Sequence, residues 1–193
     1  MDSHNFDTQR NLAIDFTVRS RIETQKLLQK EKMNNNVAVA RFEEAPTWVC
    51  WDIENFPVPR GYKAEEITEK ISLALRKLNY RGPISISAYG NMNHIPPSVK
   101  KALSSAGIVL NHFHMNLRKS SLDMVYKIWS WRRLNPAPAN VMFISQDGLL
   151  SITIPSMQSA GYNILLAHPP HPLDLLVASV KTTWLWKSLL KES

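Results

Sequence analysis

A regular alternation of apolar runs and amphipathic stretches, beginning at Thr47, constrains the fold of this chain more than any other feature. Each apolar run has six or seven residues and suits a buried strand. Strands that alternate with helices along a chain are typical of a parallel sheet covered by helices on both faces. Strands are predicted at residues 47–53, 84–90, 108–114, 140–145 and 162–168.

The segments between these strands carry helix signals. Residues 64–79 place Ile67, Ile71 and Leu75 at helical spacing, with acids early and bases late, as the helix dipole favours. The stretch 173–190 is predicted to form one closing helix. The sequence therefore predicts a three-layer α/β/α fold with a mainly parallel five-stranded sheet. Shorter helices are predicted at residues 96–107, 122–135 and, with an interruption, 148–161.

The charge is unevenly distributed along the chain. Residues 1–45 hold seven basic and seven acidic residues, whereas residues 46–193 hold sixteen and nine, so the later part carries the whole formal charge of +7. We interpret residues 1–45 as an N-terminal arm, partly helical around 8–32 or disordered, and residues 46–193 as the folded domain. A basic domain has an electrostatic reason to bind nucleic acid, although a solvated basic surface explains the charge equally well.

Several classes of protein are excluded by simple counts. The single cysteine, Cys50, rules out a disulfide framework. No apolar stretch approaches the roughly 20 residues of a membrane span, and the N-terminus does not resemble a secretory signal. The last residues, LLKES, do not match a peroxisomal address. We therefore expect an intracellular protein of the cytoplasm or nucleus.

Polar residues follow two of the predicted strands. Asp52, Glu54 and Asn55 come at and after the end of the first strand, and Asp147 follows the fourth. Parallel strands present their carboxyl ends at one edge of a sheet, where ligands bind. Carboxylates gathered there can hold Mg²⁺ or Mn²⁺, which activates water for phosphodiester hydrolysis. Acids at strand ends also make turn bonds or cap helices, and spacing alone does not distinguish these roles.

Three motifs resemble a known family. The first, WDIENFPVP at residues 51–59, resembles the opening motif of NYN domains of the PIN-like nuclease superfamily. Residues 135–145, NPAPANVMFIS, and the segments at 162–169 and 180–190 are similar to the plant, limkain-like form, also called meiosis regulator and mRNA stability factor. The resemblance covers about residues 46–190. It implies a PIN-like fold, a divalent metal, RNA cleavage, regulation of gene expression and a peroxisomal association.

The resemblance also assigns roles to individual residues. Asp52 occupies the position of the first-strand metal acid, and Asn55 that of its companion asparagine. Asp147 matches the first acid of the Ser-Gly-Asp-x-Asp-Phe motif of the family. The second acid of that motif is replaced here by Leu149. The helix predicted at 122–135 is rich in aromatic residues, and an acid that the family has at the start of this aromatic helix is replaced by Ser121. Asp52, Asn55 and Asp147 are therefore the predicted catalytic residues, with Asp52 and Asp147 as metal ligands.

Two charged residues of the aromatic helix also affect the interpretation. Lys127 stands where the family has a further acid, and it would repel a cation if it faced the site. Asp123 lies two residues from the position of the missing acid, a rotation of roughly 200° on a helix. Asp123 also fits a capping box that begins at Ser120. The missing acids leave two functions open, a weakened endoribonuclease and an inactive module that binds RNA or a protein.

Basic pairs are the candidate contacts with an RNA backbone. An exposed tryptophan of the aromatic helix could stack on a base beside one of these pairs, although most such residues pack in cores. A solvated surface accounts for each pair equally well. The predicted nucleic-acid-binding residues are Lys100, Lys101, Arg118, Lys119, Arg132 and Arg133.

Overall fold

The computed structural model describes residues 21, 23–24, 36–113 and 119–191. The chain divides into two compact units, residues 1–36 and 37–193, and nearly all of the described residues belong to the second. The helix predicted around residues 8–32 lies almost wholly outside the described residues. Within the described ranges, no helix is both long and apolar enough to cross a membrane.

The second unit is built on one sheet whose strands all run in the same direction. Its six strands are arranged in the order β3-β2-β1-β4-β5-β6. The predicted α/β fold with a parallel sheet is confirmed, and the five predicted strands are all present. The strands are β1 (Thr47–Asp52), β2 (Ile84–Gly90), β3 (Val109–His112), β4 (Asn140–Ile144), β5 (Asn163–His168) and β6 (Thr182–Leu185).

Helices follow most of the strands. Short 3₁₀ turns at Ala64–Glu66 and Met92–His94 precede two of these helices. The helix predicted with an interruption is continuous, although Pro155 lies inside it. The helices are α1 (Ala40–Glu43), α2 (Ile67–Lys77), α3 (Pro97–Ser105), α4 (Lys119–Leu134), α5 (Leu150–Ser159), α6 (Asp174–Ala178) and α7 (Trp186–Leu189).

The C-terminal region differs from the prediction. The single closing helix predicted at 173–190 is wrong, because β6 interrupts it and pairs with β5. Thr182, Thr183 and Trp184 are β-branched or aromatic, and such residues favour an extended strand when a partner edge is available. The sheet therefore has six strands rather than five.

The two faces of the sheet bury two separate cores. In β1, Val49 and Trp51 point into the core formed with α2, α3 and α7, whereas Trp48 and Cys50 point into the core formed with α4, α5 and α6. Because successive residues of a strand face opposite sides, a strand covered on both faces is apolar along its whole length. Charged side chains can then be accommodated only where the strands end.

Residues just before β1 belong to this packing. Ala38, Phe42 and Ala45 are buried in the first core, although the sequence analysis placed them in the arm. The buried amide of Asn140 donates to the Phe42 carbonyl at 3.0 Å and to the Ala45 carbonyl at 3.3 Å. Asn163 in turn donates to the Asn140 side chain at 2.9 Å. These bonds join the segment before β1 to β4 and β5, while the boundary at residue 45 stays a prediction.

Replacing Asn140 by leucine should destabilise the domain. The Asn140→Leu substitution leaves the Phe42 carbonyl without its side-chain partner and the Asn163 amide with only the Tyr80 hydroxyl, so the free energy of unfolding should fall by about 2–4 kcal/mol. Urea denaturation followed by tryptophan fluorescence measures this change. Asn93→Leu on the exposed surface is the control and should cost less than about 0.5 kcal/mol. Equal losses in the two variants would contradict this role for Asn140.

Candidate functional site

The predicted acids meet where the connections of the sheet change direction. From β1 the chain builds outward through β2 to β3, and after β3 it returns to place β4 on the other side of β1. The crevice beyond the carboxyl ends of β1 and β4 is therefore the point at which open α/β sheets bind ligands. Asp52 ends β1, Asp147 lies just beyond β4, and both line one cavity together with Asn55.

This cavity is small and has both polar and apolar walls. Its volume is about 50 Å³. A single water needs roughly 10–15 Å³ of such a cavity, so the space suits a few waters or an ion with part of its hydration shell. The cavity is lined by Asp52, Glu54, Asn55, Tyr89, Gly90, Phe113, Met124 and Asp147.

Asp52 is held by its neighbour in the chain. The Asn55 backbone N–H donates to Asp52 Oδ1 at 3.1 Å, and the Asn55 side-chain amide donates to Oδ2 at 2.8 Å. Burial raises the pKa of Asp52, the two bonds from Asn55 lower it, and the charges of Asp147 and Glu54 raise it again, with a net rise. Asn55 therefore fixes the orientation of a carboxylate whose charge is costly where it lies.

Asp147 forms hydrogen bonds within the turn after β4 and also lines the cavity. Its Oδ1 accepts from the Leu149 backbone N–H at 2.8 Å, and its own N–H donates to Ser145 Oγ at 3.1 Å. The buried Ser145 thus anchors the turn that connects β4 to α5. The turn bonds considered in the sequence analysis are present, and they hold Asp147 at the cavity wall.

Glu54 is a third carboxylate of the cavity that was not among the predicted site residues. Its Oε2 accepts from the Asn91 backbone N–H at 3.1 Å, and its Oε1 lies 3.4 Å from His94 Nδ1. Gly90 permits this approach, because a β-carbon there would lie 3.0 Å from Glu54 Cβ. The signal in the sequence was the position of Glu54, two residues after the end of β1.

The aromatic helix turns an apolar residue toward the acids. Met124 of α4 is buried and lines the cavity. Asp123 and Lys127 instead line a separate cleft between α4 and β3, so Lys127 does not face Asp52. The helix is described from Lys119 onward, which places Ser120 in its first turn, and the capping box at Ser120 stays a prediction.

The predicted basic pairs do not form one track. Lys100 lies near the cavity rim, where its Nζ donates to the Met92 carbonyl at 3.0 Å, and Lys101 follows it on α3. Arg132 and Arg133 end α4 beside Pro136, near the opposite edge of the sheet. A helix of 16 residues spans about 24 Å, which separates its two ends. Lys119 is the first residue of α4, and Arg118 lies outside the described residues.

The two tryptophans of α4 face different environments. Trp131 stacks on Trp48 of β1 with ring centroids 4.7 Å apart. Trp129 is 36% exposed, and the Arg132 guanidinium lies 4.9 Å from its ring centroid. The pair at i and i+2 thus packs one ring against the core and places one at the surface. Trp129 is not among the residues that line the acidic cavity.

The comparison with protein families agrees with this architecture. The NYN domain family matches residues 46–184. The chain belongs to the NYN domain family. No curated protein sequence matches the chain. The NYN domain is part of the PIN-like nuclease superfamily, and the parallel sheet with helices on both faces is consistent with a PIN-like fold.

PIN-like nucleases generally use divalent metals, and the acids of this NYN domain have suitable chemistry. Asp52 and Asp147 offer carboxylate oxygens, which hard cations prefer. The like charges that raise the pKa of Asp52 would be relieved by a cation between them. Among the described residues, no group of three or more His, Cys, Asp or Glu side chains is placed to bind a metal. Two carboxylates suffice for Mg²⁺, which keeps several waters.

Variants of the neighbours should move the pKa of Asp52 in opposite directions. Asn55→Ala removes the side-chain bond to Asp52 Oδ2, keeps the backbone N–H bond to Oδ1, and should raise this pKa. Asp147→Asn removes a like charge and should lower it, and Glu54→Gln should lower it less, because Glu54 contributes less than Asp147. Carbon-detected NMR titration of the labelled carboxyl groups measures these shifts. A common direction in all three variants would contradict the arrangement around Asp52.

Asp52→Asn should stabilise the NYN domain at neutral pH. The folded state raises the pKa of Asp52, so it binds the proton more tightly than the unfolded chain. The resulting stability is present below the unfolded pKa of about 3.9 and is lost as pH rises through the folded value. The gain in unfolding free energy should thus be larger at pH 7 than at pH 4 in urea titrations. Asp123→Asn, outside the cavity, is the control, and a pH-independent gain at position 52 would count against this explanation.

Proposed function

We propose that this NYN domain is an RNA-directed protein that acts in RNA turnover and regulation of gene expression, as a divalent-metal endoribonuclease of weakened activity. The observation that carries the proposal is the cavity at the carboxyl ends of β1 and β4, which Asp52 and Asp147 share. Adjacent central strands bring these two acids together, and Asn55 bonds both oxygens of Asp52. The family supports a nucleic-acid substrate.

Each residue of the cavity has a definite part in this proposal. Asp52 and Asp147 would hold Mg²⁺ or Mn²⁺, which when bound polarises a phosphate and activates water. Asn55 keeps the Asp52 carboxylate in one orientation, since it donates to both oxygens. Phe113 and Met124 form an apolar wall that limits the water reaching the reacting phosphate.

The weakness of the activity follows from the residues that accompany the two acids. By resemblance to the family, Leu149 and Ser121 stand at positions of acids. The α4 residue that lines the cavity, Met124, has no ligand for a hard cation. A site with fewer carboxylates binds the ion less tightly, and the stabilisation of a charged transition state is then reduced by several kcal/mol.

A binding module without turnover is the second candidate. The apolar Met124 at the cavity favours it, because the same fold can hold RNA or a protein partner without a complete ion site. The resemblance of the segments at 135–145, 162–169 and 180–190 to plant limkain-like proteins supports a role in mRNA stability under either candidate. The same resemblance is the sole support for a peroxisomal location.

Restoring acids should raise cleavage of single-stranded RNA above that of the parent protein. The double variant Ser121→Asp and Leu149→Asp adds carboxylates at the positions of the family acids, so it should bind Mg²⁺ more tightly and cut faster. Asp52→Asn should abolish the parental activity while RNA binding is kept or improved, because a negative charge is removed. Calorimetry with Mg²⁺ and gel analysis of a labelled oligoribonucleotide measure the two effects.

The controls separate the site from the family assignment. Asp123→Asn changes an acid outside the cavity and should leave both measurements unchanged. Strong parental cleavage that survives Asp52→Asn would show that the chemistry lies elsewhere. A double variant that neither binds Mg²⁺ nor cuts would contradict the alignment of positions 121 and 149. RNA binding that cannot be detected in any variant would overturn the RNA-directed function.

A further inference from the structure

A second, much larger groove borders the acidic cavity. Its volume is about 700 Å³, and Asn55 lines both it and the cavity. Three segments that are distant in the sequence build it: residues 55–62 after β1, residues 168–170 after β5, and residues 185–191 at the end of β6 and in and after α7. All three follow strands of the parallel sheet, so the groove lies at the same edge as the acids.

The wall of the groove is held in shape by two tryptophans. Trp51 Nε1 donates to the Phe56 carbonyl at 2.7 Å, and Trp186 Nε1 donates to the Pro57 carbonyl at 3.2 Å. Their rings lie 5.4 Å apart in the core below. The prolines at positions 57 and 59 further restrict this segment. The groove is therefore preformed, which reduces the entropy cost of binding.

The groove combines apolar surface with unpaired positive charge. Arg60, Lys187 and Lys191 line it and are exposed, and none of them takes part in an ion pair within the described part of the chain. No carboxylate occurs among its described lining residues. Tyr62 and His168 are half-buried rings at its surface. The acids of the site thus lie beside a groove of the opposite charge.

We propose that this groove seats the single-stranded RNA segment that flanks the phosphodiester held at Asp52 and Asp147. The inference rests on the proposed function and names its substrate path. Base faces would pack on the rings and prolines, since stacking on such surfaces tolerates any sequence. The cations would contact the phosphates, and Asn55 marks the passage from groove to cavity. A proline-rich peptide could use the apolar surface alone, but three unpaired cations favour a polyanion.

Removing two groove cations should weaken RNA binding strongly. Each phosphate contact on a single strand contributes about 0.7 to the salt slope, so at 0.1 M salt Arg60→Ala together with Lys187→Ala should weaken binding roughly 25-fold. Fluorescence anisotropy of the full chain with a labelled oligouridylate of about 12 nucleotides, in EDTA to prevent cleavage, measures this affinity. The salt slope should fall by about 1.4 in the same variant.

A matched pair of cations provides the control. Arg76 lies in the last turn of α2, and Lys181 precedes β6, so both lie toward the opposite edge of the sheet, and both are exposed. The double variant Arg76→Ala and Lys181→Ala removes the same charge from the chain and should weaken binding less than twofold. A loss equal to that of the groove variant would assign the effect to net charge and overturn the inference.

Crosslinking adds a readout of position. A 4-thiouridine oligonucleotide irradiated on the wild-type protein should crosslink within residues 56–62 or 185–191, as mapped by mass spectrometry. Wild-type RNA binding with crosslinks confined to residues 129–137 would overturn the groove while the proposed function stands. No RNA binding by the wild type would overturn both. A dimer detected by light scattering and lost in the groove variant would assign the groove to a second copy of the chain and overturn the inference.

Discussion

β1 is hydrogen-bonded to β2 along one edge and to β4 along the other, and helices cover both of its faces. Such a strand has no surface on which to carry a charge, so it is uncharged from Thr47 to Trp51 and becomes acidic only at Asp52. The partner strand β4 is buried along its whole length in the same way and gives way to polar residues only before Asp147. The pairing of these two strands therefore determines both where the two cores lie and where the acids meet. Any change that shifted their register would move one acid away from the other.

The ionisation of Asp52 is controlled by opposing interactions. Burial and two neighbouring carboxylates oppose its ionisation, whereas the bonds from Asn55 favour it. A proton and a divalent cation relieve the same repulsion and compete for the same oxygens, so cation binding requires the loss of the proton and should weaken as the pH falls. Because Asn55 donates to both oxygens, it prepares the carboxylate for a cation and not for a proton. The unfavourable free energy of the ionised Asp52 is offset by the stability that the two cores on either side of the sheet provide.

Apolar runs and their spacing predicted five of the six strands, because a doubly covered strand leaves a direct trace in the sequence. Thr182–Leu185 was missed, since it is short and follows a helix without a clear break, and its strand form depends on the edge that β5 offers. The predicted acids share one cavity because adjacent parallel strands end at the same edge of the sheet, so that residues directly after them lie close together. Arg132 and Arg133 were predicted from their charge alone to contact RNA together with the other basic pairs, but the length of α4 places them away from the acids. The groove could not be predicted, since three distant segments build it.

Under the proposed function, a loss of acids would affect cleavage and RNA binding in opposite directions. A carboxylate that leaves the site weakens the hold on a cation, and it also removes a charge that repels the phosphates of RNA. In this chain the cations of the groove, such as Arg60 and Lys187, lie apart from Asp52 and Asp147, so they keep their effect when the ion site is reduced. The charge of +7, confined to residues 46–193, adds a long-range attraction of the same sign. If the proposed function holds, such a domain would lose turnover gradually while its affinity for a single strand increased, because the two proposed properties depend on different residues of one sheet edge.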